Sequence, residues 1–79
     1  MFAMDLSEIG VRTRLVNLIV TEDDPDIRGK LAELLAFREV EVDELAPSSV
    51  GTEMLRILDG TSEMFDKEEI GTGIWRYSF

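Results

Sequence analysis

The last nine residues constrain this chain more than any other stretch. Gly71-Thr72-Gly73 supplies a tight turn, and beyond it Trp75, Tyr77 and Phe79 alternate with Arg76 and Ser78. A period of two with aromatics on one face is a strand pattern. Residues 64–79 are therefore expected to form a β-hairpin turning at Gly71–Gly73. The three aromatics either fill a core or form a binding platform. In a 79-residue chain with room for one modest core, the core has the better claim.

Upstream the period changes. Asp24 stands where an N-cap belongs, Pro25 at the first helical position, and Asp26 complements the positive helix end. Ile27, Leu31, Leu34 and Leu35 then recur at the spacing of one buried face, which predicts a helix over residues 25–37. Glu39 and Glu41 alternate with Val40 and Val42, a short half-buried strand. Asp43 to Ala46 is expected to make one helical turn, stopped by Pro47. Ser48 and Ser49 can each cap a further helix, with Val50, Met54, Ile57 and Leu58 as its apolar face and Gly60 at its end. Gly51 costs about 1 kcal/mol relative to alanine inside a helix, which argues for a start as late as Thr52.

The first segment reads two ways. Val11, Leu15, Leu18 and Ile19 have helical spacing, with Ser7 as a cap, and a helix is the expectation. Leu15 to Val20 is also apolar and partly β-branched, and a buried strand is the alternative. The whole chain reads as a small single α+β domain, residues 1–79, without linker or repeat.

Composition removes much chemistry. Without cysteine there is no disulfide and no thiolate, and without histidine neither the usual neutral-pH base nor the commonest zinc ligand. Gly71-Thr72-Gly73 lacks the lysine and helix of a phosphate-binding loop. Nothing singles out one carboxylate pair among 17 acids, and a core this small leaves little room for a substrate cleft. Glu22, Asp23, Asp24 and Asp26 could hold a hard cation, but helix capping accounts for Asp24 and Asp26 without one. No catalytic residue, cofactor or metal is assigned, and a non-enzymatic protein is expected. No apolar run approaches the roughly 20 residues that span a bilayer and no signal peptide is evident, so a cytoplasmic protein without membrane partner is expected.

Charge is the strongest compositional signal. Seventeen acids against eight bases give −9; residues 1–40 hold eight acids and five bases (−3), residues 41–79 nine and three (−6). Such a field repels phosphate backbones and attracts basic surfaces, although it also serves solubility. With two lysines beside six arginines, the composition equally suits a high-salt cytoplasm.

Asp24-Pro25, Arg28, Leu31, Leu34-Leu35-Ala36, Glu39-Val40, Val42 and Glu44-Leu45-Ala46 resemble the opening of winged helix-turn-helix repressors of the ArsR-like type. Glu68 through Tyr77 resembles the wing of that class, so the resemblance spans residues 24–79. It implies a winged-helix fold with a C-terminal β-hairpin and a small transcription regulator that binds DNA, with the first segment as a homodimer contact. Carried over, Ser49, Thr52, Glu53 and Arg56 would face the groove, and Thr72 and Arg76 would lie on the wing. Two departures stand out: the linker after Ala46 is short, and Arg56 is the one cation beside Glu53 and Asp59.

Leu18-Ile19-Val20 followed by Glu22-Asp23-Asp24-Pro25-Asp26-Ile27-Arg28 is also similar to the first strand and acidic pocket of response-regulator receiver domains, over residues 18–58. That likeness requires a strand at Leu15–Val20, and the later strands and phosphoacceptor aspartate are missing. The competing functional expectation is an acidic inhibitor that imitates nucleic acid, as phage anti-restriction and anti-CRISPR proteins do. Glu39, Glu41, Glu63, Asp66, Glu68 and Glu69 would then meet a basic nucleic-acid-binding protein.

Overall fold

A computed structural model describes residues 7–46 and 50–79. Among them three α-helices and a three-stranded antiparallel sheet surround one core. Helix α1 (Glu8–Thr21) opens at Ser7, whose hydroxyl accepts from the Gly10 N–H at 3.1 Å. The helical alternative thus prevails over the strand, because Val11 and Leu15 can be buried one turn apart on a single stripe. Helix α2 (Pro25–Phe37) begins where the sequence places it, with the Asp24 carboxylate accepting from the Asp26 N–H at 2.9 Å. Arg12 of α1 donates to the carbonyl of Leu35 at 3.0 Å, satisfying one of the last-turn acceptors of α2 that have no intrahelical partner.

Arg38, in the left-handed conformation at φ 65°, ends α2 and turns the chain into β1 (Glu39–Asp43). Val40 and Val42 are buried and Glu39 and Glu41 exposed, as the alternation predicts. The expected helical turn at Asp43–Ala46 is not formed. Asp43 completes β1, Glu44 donates to the Gly73 carbonyl at 2.9 Å, and the Asp43 carboxylate accepts from the Leu45 N–H at 2.9 Å. These bonds hold the segment as a turn tied to the sheet.

Helix α3 (Val50–Asp59) contains Gly51, and so starts before Thr52. A Cβ at Gly51 would overlap the main-chain carbonyl of Asp43, so glycine is what lets the helix lie against the end of β1. Ser48 and Ser49 lie outside the described residues. A short 3₁₀ turn (Ser62–Met64) leads into β2 (Asp66–Gly71) and β3 (Ile74–Ser78). Their two-residue connection puts Gly73 at φ 71° beside Leu45, and a register shift between Glu69 and Gly71 marks a bulge.

The sheet order is β1-β3-β2, both pairings antiparallel. Helices α2 and α3 cover one face, and α1 packs on α2. Val11, Leu15, Ile27, Leu31, Leu34, Met54, Leu58 and Tyr77 fill the space between, with Trp75 and Phe79 half-buried around it. With Leu15–Val20 inside α1 and β1 antiparallel to β3, the parallel pairing a receiver-like fold requires is not formed among the described residues.

Two glycines should respond in opposite directions to alanine. Gly51→Ala should destabilise by about 1–3 kcal/mol, because its obstacle is backbone. Gly29→Ala, on an exposed turn of α2 with no atom within 4 Å, should stabilise by about 0.5–1 kcal/mol. Urea unfolding of the two variants checks both signs.

Candidate functional site

Strand alternation gives the sheet two unlike faces. Val40, Val42, Trp75 and Tyr77 turn toward the helices; Glu39, Glu41, Asp43, Ile74, Arg76, Ser78, Asp66 and Glu68 turn away from them. Register sets the outward side chains in rows. Arg76 stands between Glu41 at 3.7 Å and Glu68 at 3.8 Å, and Ser78 stands between Glu39 and Asp66. With strands about 4.8 Å apart and same-face residues about 7 Å apart along each, five carboxylates share a patch about 10 Å wide around one guanidinium. The two ion pairs are solvent-exposed and contribute little to stability.

The helix side holds the opposite arrangement, a satisfied polar cluster at the end of α3. The Tyr77 hydroxyl, on a fully buried residue, donates to Asp59 at 2.6 Å, and Lys67 donates to the same oxygen at 3.1 Å. Lys67 also lies 4.4 Å from the Trp75 ring centroid, and the Trp75 indole donates to Glu44 at 3.4 Å. Asp59 is the last residue of its helix, where the dipole disfavours a negative charge. The Tyr77 hydrogen bond, helped by Lys67, nevertheless holds its carboxyl below the ordinary range against some desolvation. Burial, reinforced by Asp59, pushes the Tyr77 phenol up. Nothing in residue spacing signals this cluster, since it joins α3 to both strands of the hairpin.

The residues expected to face DNA do not share one surface. Thr52 and Arg56 are exposed on α3 and Thr72 at the hairpin tip, whereas Arg76 lies on the sheet face turned away from α3; Ser49 is outside the described residues. Glu53 binds Arg56 through Nε at 3.0 Å and Nη2 at 2.7 Å, and that hydrogen bonding raises the guanidinium pKa further. Lys30, Arg38 and Lys67 are likewise paired, with Glu33, Glu8 and Asp59. Among the described residues the cations outside ion pairs are Arg12, Arg14 and Arg28, all on α1 and α2.

The acidic set converges better. Glu39, Glu41, Asp66 and Glu68 meet on the outer face; Glu69 turns with Trp75 to the helix side, and Glu63 precedes the sheet on the 3₁₀ turn. Asp43 belongs with them, and the signal was one more step of the Glu-Val-Glu-Val-Asp alternation. In the α1–α2 connection Asp24 caps α2 and Glu22 accepts from the Asp24 N–H at 3.1 Å. No group of three or more acidic side chains is placed to hold a metal among the described residues. No helix there is long and apolar enough to cross a membrane.

Compared with protein-family models, curated proteins and solved structures, the chain matches none.

The Asp59–Tyr77 bond makes stability depend on acid. Asp59 has a depressed folded pKa, so its contribution is complete above the unfolded carboxylate value near ~4 and is lost as pH falls through the folded value. Tyr77→Phe should cost about 1–2 kcal/mol at pH 7, the lower part of the range for a bond to a charge because Asp59 keeps water. It should also flatten the fall in stability below pH ~4. Urea midpoints measured across that interval test both effects.

Proposed function

We propose that this chain is a winged-helix-type binding module without catalytic role, and that its outer sheet face docks on a basic protein surface. The carrying observation is the row of five carboxylates around Arg76. Complementary charge of this kind steers encounter and sets register in a basic groove. The order α2, β1, α3, hairpin, with β3 between β1 and β2, supports the winged-helix reading. One departure accompanies it: between β1 and β2 the described residues form a single α-helix and a 3₁₀ turn, where a helix-turn-helix carries two helices.

The same strand order favours a second reading, the small DNA-binding regulator with α3 as recognition helix. Its difficulty is electrostatic. Phosphate binding needs several free cations, and Arg56 on α3, Lys67 on β2 and Arg76 on β3 are engaged with carboxylates.

Two double variants with the same charge change separate the readings. Glu39→Lys with Asp66→Lys alters the outer face, and Asp23→Lys with Glu63→Lys alters surface elsewhere. Both pairs should shift stability by no more than about 0.5 kcal/mol per site, since all four residues are exposed. Only the first should abolish binding of an oligolysine peptide at about 0.05 M salt. Equal loss in both would reduce the acidity to net charge. Salt-sensitive binding of a DNA duplex by the unaltered protein, weakened by about 1–3 kcal/mol in Arg56→Ala, would establish the regulator instead.

A further inference from the structure

We propose that the free edge of β1 accepts an extended basic segment of a partner protein as a fourth, antiparallel strand. The inference rests on the basic-partner reading and supplies its binding mode. Among the described residues strand β1 pairs on one side only, with β3. The bonds from Phe79 N–H to the Arg38 carbonyl at 3.0 Å and from Glu44 N–H to the Gly73 carbonyl at 2.9 Å fix the phase of that ladder. Arg38, Val40, Val42 and Glu44 direct their main-chain groups at β3, so Glu39, Glu41 and Asp43 direct theirs outward. No hydrogen bond among the described residues reaches those outward groups. The Asp43 carbonyl lies against Gly51, which leaves an edge running from Glu39 to the N–H of Asp43.

This phase decides the chemistry of the incoming strand. In an antiparallel pair, residues that exchange both hydrogen bonds carry their side chains on the same face. Whatever bonds to the main chain of Glu39 and Glu41 therefore sets its side chains beside their carboxylates, which calls for lysine or arginine at alternate positions. The intervening residues turn toward the helices. There a cleft of about 340 Å³ lies between β1, α2 and the start of α3, lined by Val42, Ala46 and Val50 together with Lys30, Glu41 and Asp43. Lys30 is drawn toward Glu33 at 3.8 Å, and Val42, Ala46 and Val50 offer apolar contact to a side chain such as valine. A second copy of this chain is the wrong occupant, because pairing β1 with β1 would oppose carboxylate to carboxylate.

The test uses the full isotope-labelled protein and a peptide of alternating lysine and valine. Saturating peptide should slow exchange of the Glu39 and Glu41 amide protons by about tenfold or more. Methylating the lysine main-chain nitrogens removes the donors that face β1 and should abolish binding; methylating the valine nitrogens, which point away, should not. A glutamate–valine peptide should not bind. Equal binding of both methylated forms with unchanged exchange would overturn edge pairing while leaving the basic-partner reading intact. Binding of the glutamate–valine peptide would overturn the basic assignment, and failure of every lysine peptide would overturn both.

Discussion

The sheet is held by its last strand. Among the described residues β1 and β2 are not paired with each other; each pairs only with β3, so the sheet does not close until β3 lies between them. Tyr77, the fourth residue of β3, is fully buried and bonded to the end of α3, which fastens the hairpin to the helical layer. Arg38 secures the residue that follows β3. Its carbonyl accepts from the Phe79 N–H at 3.0 Å, its Nε donates back to the Phe79 carbonyl at 3.2 Å, and its guanidinium lies 5.5 Å from the Phe79 ring. The same guanidinium reaches Glu8 at 3.5 Å, drawing the start of α1 to the junction. These contacts join residues far apart in sequence, so loop closure must precede the gain they bring.

That architecture spends its polar partners unevenly. On the helix side polar groups near the core have specific companions: Asp59 has Tyr77 and Lys67, and Trp75 has Glu44. On the outer side Arg76 reaches Glu41 and Glu68, while Glu39, Asp43 and Asp66 on the same face make no ion pair among the described residues. The core does not require that concentration, since Val40, Val42 and Tyr77 are buried whatever stands opposite them on the far face.

Local chemistry was legible in the sequence; spatial neighbourhood was not. Asp24-Pro25 and the apolar spacing from Ile27 to Leu35 determine α2 because cap, first turn and buried stripe all lie within 13 residues. The hairpin is equally local, since turn and alternation are contiguous. Leu15–Val20 was ambiguous because a short apolar run fits either period, and only burial against α2 decides. Gly51 reads as a helix defect until the Asp43 carbonyl is seen beside it. The outer face was half visible: alternation puts Glu39 and Glu41 together, but their meeting with Asp66 and Glu68 depends on β3 lying between the two acidic strands. The same non-local pairing separates Arg76 from α3 and breaks up the groove-facing set.

The outer face gathers five carboxylates, and like charges on neighbouring strands oppose one another most where salt is low. The most direct measurement is the thermal midpoint of the unaltered protein as sodium chloride rises from about 0.01 to 0.15 M, where the screening length falls from about 30 to 8 Å. Repulsion among the five carboxylates predicts that the midpoint climbs with salt, most steeply at the lowest concentrations, and climbs less in Glu39→Lys with Asp66→Lys than in Asp23→Lys with Glu63→Lys, which has the same net charge. A midpoint that falls over that interval would mean that attractive pairs outweigh the repulsion, and would contradict the account.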